Sequence, residues 1–194
     1  MAIEITAGYA EQDRDHVAAL YWEAFSDKLG GVLAPEATGR SFFARILDPA
    51  HALVARDETG TILGVAGLRT DRGAFVGGHL SDITPFYGLF GGVWRGVLLL
   101  LLLRSVGPGQ LYVDGLFVTA AARGQGVGAL LLSAVADEAR RRGIGRVTLD
   151  VIDRNTRARA LYEREGFRVV GRRRIGPLRL AFGYRHSIFM ERRL

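Results

Sequence analysis

The sequence predicts a mixed α/β domain, with one central sheet covered on both faces by helices. Three observations predict it. Strand-like and helix-like runs follow the order β-α-α-β-β and then β-α-β-α-β-β. A glycine-rich turn, Arg123-Gly124-Gln125-Gly126-Val127-Gly128, joins a strand-like run to a helix-like one. The chain has 194 residues, 48% of them apolar, and so can bury a core as a single domain spanning 1–194.

Ile3 to Ala7 alternates as a first strand. Asp13 offers a helix cap, and Val17, Leu20, Tyr21, Ala24 and Phe25 recur on one helical face up to about Ser26. A second helix is expected from Pro35 to Leu47, stopped near Pro49. His51 to Arg56 and Thr61 to Arg69 read as strands around the turn Asp57-Glu58-Thr59-Gly60. Leu111 to Val118 is the next strand. Ala129 to Arg142 is a helix ended by Gly143, with Leu130, Leu131, Val135 and Ala139 as its inward face. Arg146 to Ile152 is a strand and Thr156 to Glu165 a short helix. Gly166 ends that helix in a left-handed cap and drops Phe167 into the core. Phe167 to Arg174 and His186 to Arg192 complete the sheet.

One stretch breaks the alternation. Residues 71–109 are long for a connection between two strands of a compact domain. They include an aromatic and glycine-rich run from Phe86 and then six consecutive leucines, Leu98 to Leu103. A membrane span needs about 20 apolar residues, and this run is interrupted by Arg95 and several glycines. The expectation is an apolar helix between the third and fourth strands, with no membrane span. It would be buried by the domain, by a second copy of the chain meeting it over 86–103, or as a lid over an apolar substrate.

The absence of cysteine removes disulfides, thiolate nucleophiles and Cys-based zinc sites. His16, His51, His79 and His186 are scattered without metal-ligand spacing, so no metal is expected. The formal charge of +6 comes almost wholly from arginine, and Lys28 is the only lysine. The basic residues are spread along the chain without interleaved aromatic platforms, which argues against nucleic acid as a partner. The first residues lack the basic and apolar regions of a leader, and the chain reads as cytoplasmic.

Glycines at a strand-to-helix junction let the backbone approach a ligand closely. The amides of the helix's first turn then face it at the positive end of the dipole, which suits a pyrophosphate. The alternating Gly124, Gly126 and Gly128 fit neither the dinucleotide spacing nor a Walker loop, which would end in Gly-Lys-Ser/Thr.

Farther on comes Asn155-Thr-Arg-Ala158-Arg-Ala-Leu161-Tyr162-Glu-Arg-Glu-Gly166-Phe167. Together with Arg123-x-x-Gly126-x-Gly128, this resembles the GCN5-related N-acetyltransferase (GNAT) family over about Leu111 to Arg174. The resemblance implies an acyl-CoA N-acyltransferase fold with a splayed central mixed sheet, and direct acetyl transfer from acetyl-CoA to an amine. It implies that Arg123, Gly124 and the amides of Gln125, Gly126, Val127, Gly128 and Ala129 hold the pyrophosphate. The pantetheine arm would run along Leu116, Phe117 and Val118, as an extended chain adds to a free sheet edge. Asn155 would contact that arm, and Tyr162 would protonate the departing thiolate.

An amine must also lose a proton before it attacks, its free pKa lying near ~10.4. Asp114 shares strand parity with Leu116 and is placed to face the same cleft. It stands where polyamine-type members carry Glu, and Asp150 stands where members acting on protein N-termini carry a Glu base. Both are the shorter acid, so a water relay is expected. Gly115 and the net positive charge weigh against a polyamine. Glu23, Asp82, Tyr87 and Trp94 are further candidates for an acceptor pocket by position. The acceptor, a small-molecule or peptide amine, carries no motif. A non-catalytic acyl-CoA-binding module is the alternative; it would keep the glycine turn and need neither Tyr162 nor an acid.

Overall fold

In the computed structural model, which describes residues 2–101 and 106–194, the chain forms one mixed eight-stranded sheet between two sets of helices. The elements are β1 (Glu4–Ala7), α1 (Arg14–Leu33), α2 (Glu36–Ile46), β2 (Ala52–Arg56), β3 (Ile62–Thr70), β4 (Gly73–Ala74) and α3 (Leu80–Leu100). There follow β5 (Leu111–Val118), α4 (Val127–Arg141), β6 (Arg146–Ile152), α5 (Thr156–Arg164), β7 (Arg168–Arg174), α6 (Arg179–Phe182) and β8 (His186–Arg193). The sheet order is β1-β2-β3-β5-β6-β8-β7, with the two-residue β4 pairing on β3. Only β5 and β6 run parallel among these pairs, as the intervening α4 crossover requires.

The expected elements are present, with three physical differences. α1 continues to Leu33 instead of stopping near Ser26, because Leu29, Val32 and Leu33 extend its buried stripe past Gly30 and Gly31. On α4 the inward residues are Val127, Leu131, Leu132, Val135, Ala136 and Ala139, while Leu130 faces outward. The third difference lies in β5, where the pairing with β3 shifts register: Leu68 opposes Val113, but Gly67 opposes Gly115. Asp114 is the extra residue of a β-bulge.

The bulge reverses the strand's parity. Leu111 and Val113 pack with the α4 core, while Phe117 belongs to the core beneath α1 and α2. That second core is aromatic: Tyr21 packs against Phe25, Phe43, Phe75 and Phe117 with ring centroids 4.5 to 6.2 Å apart. Burying each such ring contributes roughly 1.5–3 kcal/mol, so α1 is fixed firmly over the middle of the sheet.

The inserted segment is not a straight rod. α3 has the length and apolar composition of a membrane span, but Gly88 interrupts it at φ 68°, ψ 174°. A Cβ placed on Gly96 would lie 2.1 Å from Leu80 Cδ2, and one on Gly92 would lie 2.9 Å from Thr84 Cα. Leu80 and Gly96 would stand about 24 Å apart on a continuous helix. The segment therefore folds back at Gly88 as a hairpin of two short helical arms. Nor does the domain bury it all round: Ile83, Gly92 and Gly96 are buried, whereas Leu89, Phe90, Val93, Trp94, Val97 and Leu100 are exposed. Leu102 and Leu103 of the leucine run lie outside the described residues.

Candidate active site

The parallel pairing of β5 with β6 stops early. Leu111, Tyr112 and Val113 oppose Val147, Thr148 and Leu149, and the ladder goes no further. β5 stays paired to β3 through Val118, and β6 stays paired to β8 through Ile152. The two strands thus part like a fork, with Asp114 and Asp150 as the next residue on either limb. Among the described residues, no strand pairs with Leu116, Phe117 and Val118 on that side. Such an edge accepts an extended amide-bearing ligand in place of the missing strand. The fork opens into a cleft of about 870 Å³ lined from β5, the glycine turn, β6, α5 and the segment before β8.

The glycine turn closes one end of the cleft. Gly124 and Gly126 adopt φ 84° and 83°, a region that side chains other than glycine rarely occupy. Gly126 is the N-cap of α4, and the first intrahelical bond runs from Leu130 N to the Gly126 carbonyl. Val127, Gly128 and Ala129 therefore have no carbonyl four residues back in the helix, and their amides point out of its positive end. Gly128 serves close packing: a Cβ there would sit 2.9 Å from Leu161 Cδ2 of α5. Gln125 is partly engaged within the turn, its amide meeting the Ala122 carbonyl at 3.4 Å and its Nε2 donating to the Ala121 carbonyl at 2.8 Å. Arg123 donates through Nε to the Val118 carbonyl at 3.2 Å and pairs with Glu23 at 3.0 Å. A Cβ on Gly124 or Gly126 would meet nothing within 4 Å, so the space at these two glycines is open.

α5 supplies Asn155 and Tyr162 to the same cleft. Asn155 caps the helix, its Oδ1 accepting from the Ala158 amide at 3.0 Å, a local use that accounts for Asn at this position. Tyr162 is buried against Phe167, and desolvation pushes its phenol up to about 12. The phenol thus keeps its proton throughout the neutral range.

The two acids differ. Asp114 lines the cleft with Leu116 as expected, but not by shared parity, which the bulge at its own position removes. Arg69 reaches both of its oxygens, at 3.0 and 3.2 Å, and the Val76 amide donates at 2.9 Å. Burial raises its pKa even against the pull of Arg69. Asp150, across the fork, accepts from Ser187 Oγ at 3.2 Å.

A sequence model of the Acetyltransferase (GNAT) family matches residues 14–167. The chain belongs to the GNAT acetyltransferase family. It is 47% identical over 67 residues to a mycothiol acetyltransferase of Beutenbergia cavernae, covering 34% of this chain and 22% of that protein. It is 44% identical over 77 residues to an acetyltransferase of Agrobacterium fabrum, covering 40% of this chain and 53% of the relative. The chain thus spans at most about half the length of these curated relatives. Among solved structures, an N-acetyltransferase from Staphylococcus aureus Mu50 superimposes with TM-score 0.70 at 16% identity, over 97% of this chain and 99% of that one. A GCN5-related N-acetyltransferase from Kribbella flavida gives 0.66 at 23% identity, over 100% and 98%. These two share the overall fold, a mixed sheet flanked by helices.

Of the residues expected by position to line an acceptor pocket, Glu23, Asp82, Tyr87 and Trp94, none lines the cleft. Asp82 accepts from the His79 amide at 2.7 Å at the start of α3, which lowers its pKa, and lies away from the cleft. Tyr87 donates to the Leu33 carbonyl, and Arg95 stacks 4.4 Å from the Tyr87 ring and 4.3 Å from the Trp94 ring. Neither ring lines the cleft. Glu23 instead meets Arg123 beside the glycine turn. Of the described inserted residues only Leu101 reaches the cleft, whereas Ile175, Leu178, Phe182 and Tyr184 of the C-terminal segment line it.

Lys28 was missed as a site residue. It lines the cleft, its amine lies 5.7 Å from the Tyr184 ring centroid, and desolvation lowers its pKa against the opposing pull of Asp150 and Asp114. Its one sequence signal is its isolation: a lone lysine in a chain that otherwise uses arginine.

Proposed function

We propose that the protein is a cytoplasmic, acetyl-CoA-dependent N-acetyltransferase that moves acetyl directly from the thioester to a small-molecule or peptide amine. One observation carries the reading: the free β5 edge, the first turn of α4 and the buried Tyr162 share one cleft below the fork. In that arrangement Val127, Gly128 and Ala129 hold the pyrophosphate through their amides, and Leu116 to Val118 align the pantetheine arm. An edge amide near Val118 polarises the thioester carbonyl. Tyr162 offers its retained proton to the departing sulfur. Asp150, at the fork beside Ser187, takes the amine's proton through a water. Asp114 then serves to fix the bulge. Titration with acetyl-CoA by calorimetry, followed by a panel of amines monitored for thiol release, tests the reading. Binding without turnover of any amine would leave an acyl-CoA-binding module, and no binding would remove both.

We further propose that the exposed arm of α3 pairs with the same arm of a second copy. Its outward apolar residues repeat at heptad spacing: Phe90 with Val97, Val93 with Leu100, Trp94 with Leu101. A seam of this period suits another helix lying alongside it. Phe90, 89% exposed, contributes little to the monomer's own core. Phe90→Glu should therefore give a folded monomer by sedimentation where the parent sediments as a dimer. A parent that is monomeric in solution and floats with lipid vesicles would sink this proposal.

A further inference from the structure

Lys28 stands over the point where the sheet opens. The last paired residues of the fork are Val113 and Leu149, and the next residue on each limb is an aspartate. Both aspartates act electrostatically on the Lys28 amine, Asp150 more than Asp114. Lys28 enters the cleft from α1, and its amine lies 5.7 Å from the Tyr184 ring centroid on the C-terminal segment. An arm lying on the Leu116 to Val118 edge with its phosphates at the α4 terminus points its free end at this fork. The same cleft therefore brings a lysine amine and the reacting end of the donor together.

We propose that Lys28 is itself an acyl acceptor: its Nζ takes one acetyl group from acetyl-CoA bound in the same molecule. The inference rests on the donor reading given above. In the step, the neutral Nζ gives its lone pair to the thioester carbonyl carbon, and a C–N bond forms as the C–S bond breaks. Sulfur leaves with the bonding pair, nitrogen gives up one proton, and one proton is taken up by sulfur. The products are Nζ-acetyl-Lys28 and free coenzyme A, and no other reactant is needed.

Three features favour attack over a purely structural lysine. Burial disfavours the ammonium form, which raises the fraction of amine able to attack. The nearest acid on β5, Asp114, already has Arg69 and the Val76 amide as partners, so it is not dedicated to neutralising Lys28. Held in one cleft with the donor, the amine gains the effective concentration of an intramolecular reactant.

The test is direct because the chain has no other lysine. The purified protein is incubated with acetyl-CoA and no added amine, then measured by intact mass and peptide mapping. The expected result is one added acetyl group on the Lys28 peptide, at a first-order rate independent of protein concentration. Excess free coenzyme A should suppress it, and Lys28→Arg, with its fold checked by thermal melting, should abolish it. Separately, isotope-labelled reductive methylation reports the single lysine by NMR; its signal should titrate below the ordinary lysine range and shift when coenzyme A is added. No acetyl on Lys28 while calorimetry shows coenzyme A binding would overturn this proposal and leave the donor reading intact. Loss of both binding and adduct would overturn the two together. Labelling that free coenzyme A does not suppress, or that proceeds equally in the heat-unfolded chain, would be ordinary chemical acetylation and would also defeat it.

Discussion

The two ends of the cleft are built by different means. The end proposed for the donor is made of backbone: amides at the start of α4, a sheet edge on β5, and glycines at φ of 83° and 84°, which other residues rarely adopt. The end proposed for the acceptor is made of side chains delivered by distant segments, Lys28 from α1, Asp150 from β6, Tyr184 and Ser187 from the C-terminal stretch. Backbone recognition forces particular residue types at particular spacings. Side-chain recognition needs only that some suitable group arrive, from whichever element passes nearby. One end should therefore be intolerant of substitution at single glycines, and the other should respond to the chemistry of its side chains.

The largest effect is expected from Gly126→Asp. It places a β-carbon on a left-handed residue and a carboxylate where an anion is to be held, each costing on the order of 1–3 kcal/mol. Affinity for coenzyme A should fall about 1000-fold, equivalent to roughly 4 kcal/mol, with the melting temperature recorded to separate binding from folding. Binding by calorimetry within tenfold of the parent would break the assignment of the donor end.

Tyr162→Phe comes next. Removing the proton donor should lower kcat about 100-fold while leaving coenzyme A affinity nearly unchanged, because the ring still packs on Phe167. The sign of the pH effect follows from the raised pKa. With Tyr162 protonated until about pH 12, no loss of rate below about pH 11 should come from this phenol. The linkage is visible in stability too. A folded pKa above the unfolded one means the folded chain holds more protons between about pH 10 and 12, so stability falls as pH rises through that window. That decline should be shallower in Tyr162→Phe, the remainder coming from Tyr9, Tyr21 and Tyr87, whose phenols burial also raises. An unchanged kcat in the variant would remove Tyr162 from the chemistry.

The contrast also explains what could be read from the chain itself. The β5–turn–α4 unit and α5 were legible because Gly124, Gly126 and the Asn155 to Phe167 run carry local constraints. The bulge at Asp114 was not, because it is a property of the register between β3 and β5 and leaves no mark on β5 alone. The Arg69 partnership was hidden for the same reason: the two residues are 45 apart in sequence and meet only through that register. In the insertion, glycines read as interruptions of an apolar helix, while the reversal at Gly88 depends on Leu80 and Thr84 meeting Gly96 and Gly92. That reversal is itself testable. Gly88→Ala forces a side chain to φ 68°, ψ 174° and should cost about 2 kcal/mol, lowering the melting temperature by roughly 4–8 °C. Coenzyme A affinity should hardly change. A variant as stable as the parent would mean the two arms of α3 do not lie side by side.

The smallest effect marks the limit of the donor-end rule. Gly128 sits in the same turn as Gly126, yet its φ is not left-handed, and its amide would survive substitution. An alanine there meets only Leu161 Cδ2 at 2.9 Å, the end of a side chain that can rotate away. Helix interiors also favour alanine over glycine by roughly 0.5–1 kcal/mol, which offsets part of that displacement. Gly128→Ala should thus change stability by less than about 1 kcal/mol, with coenzyme A affinity falling no more than about threefold. Two glycines two residues apart would then differ by more than two orders of magnitude in effect, because one is needed for its backbone angle and the other for a contact that can yield. A loss at Gly128 as large as at Gly126 would mean the ligand occupies the space beside its α-carbon, and that the amides alone do not define the site.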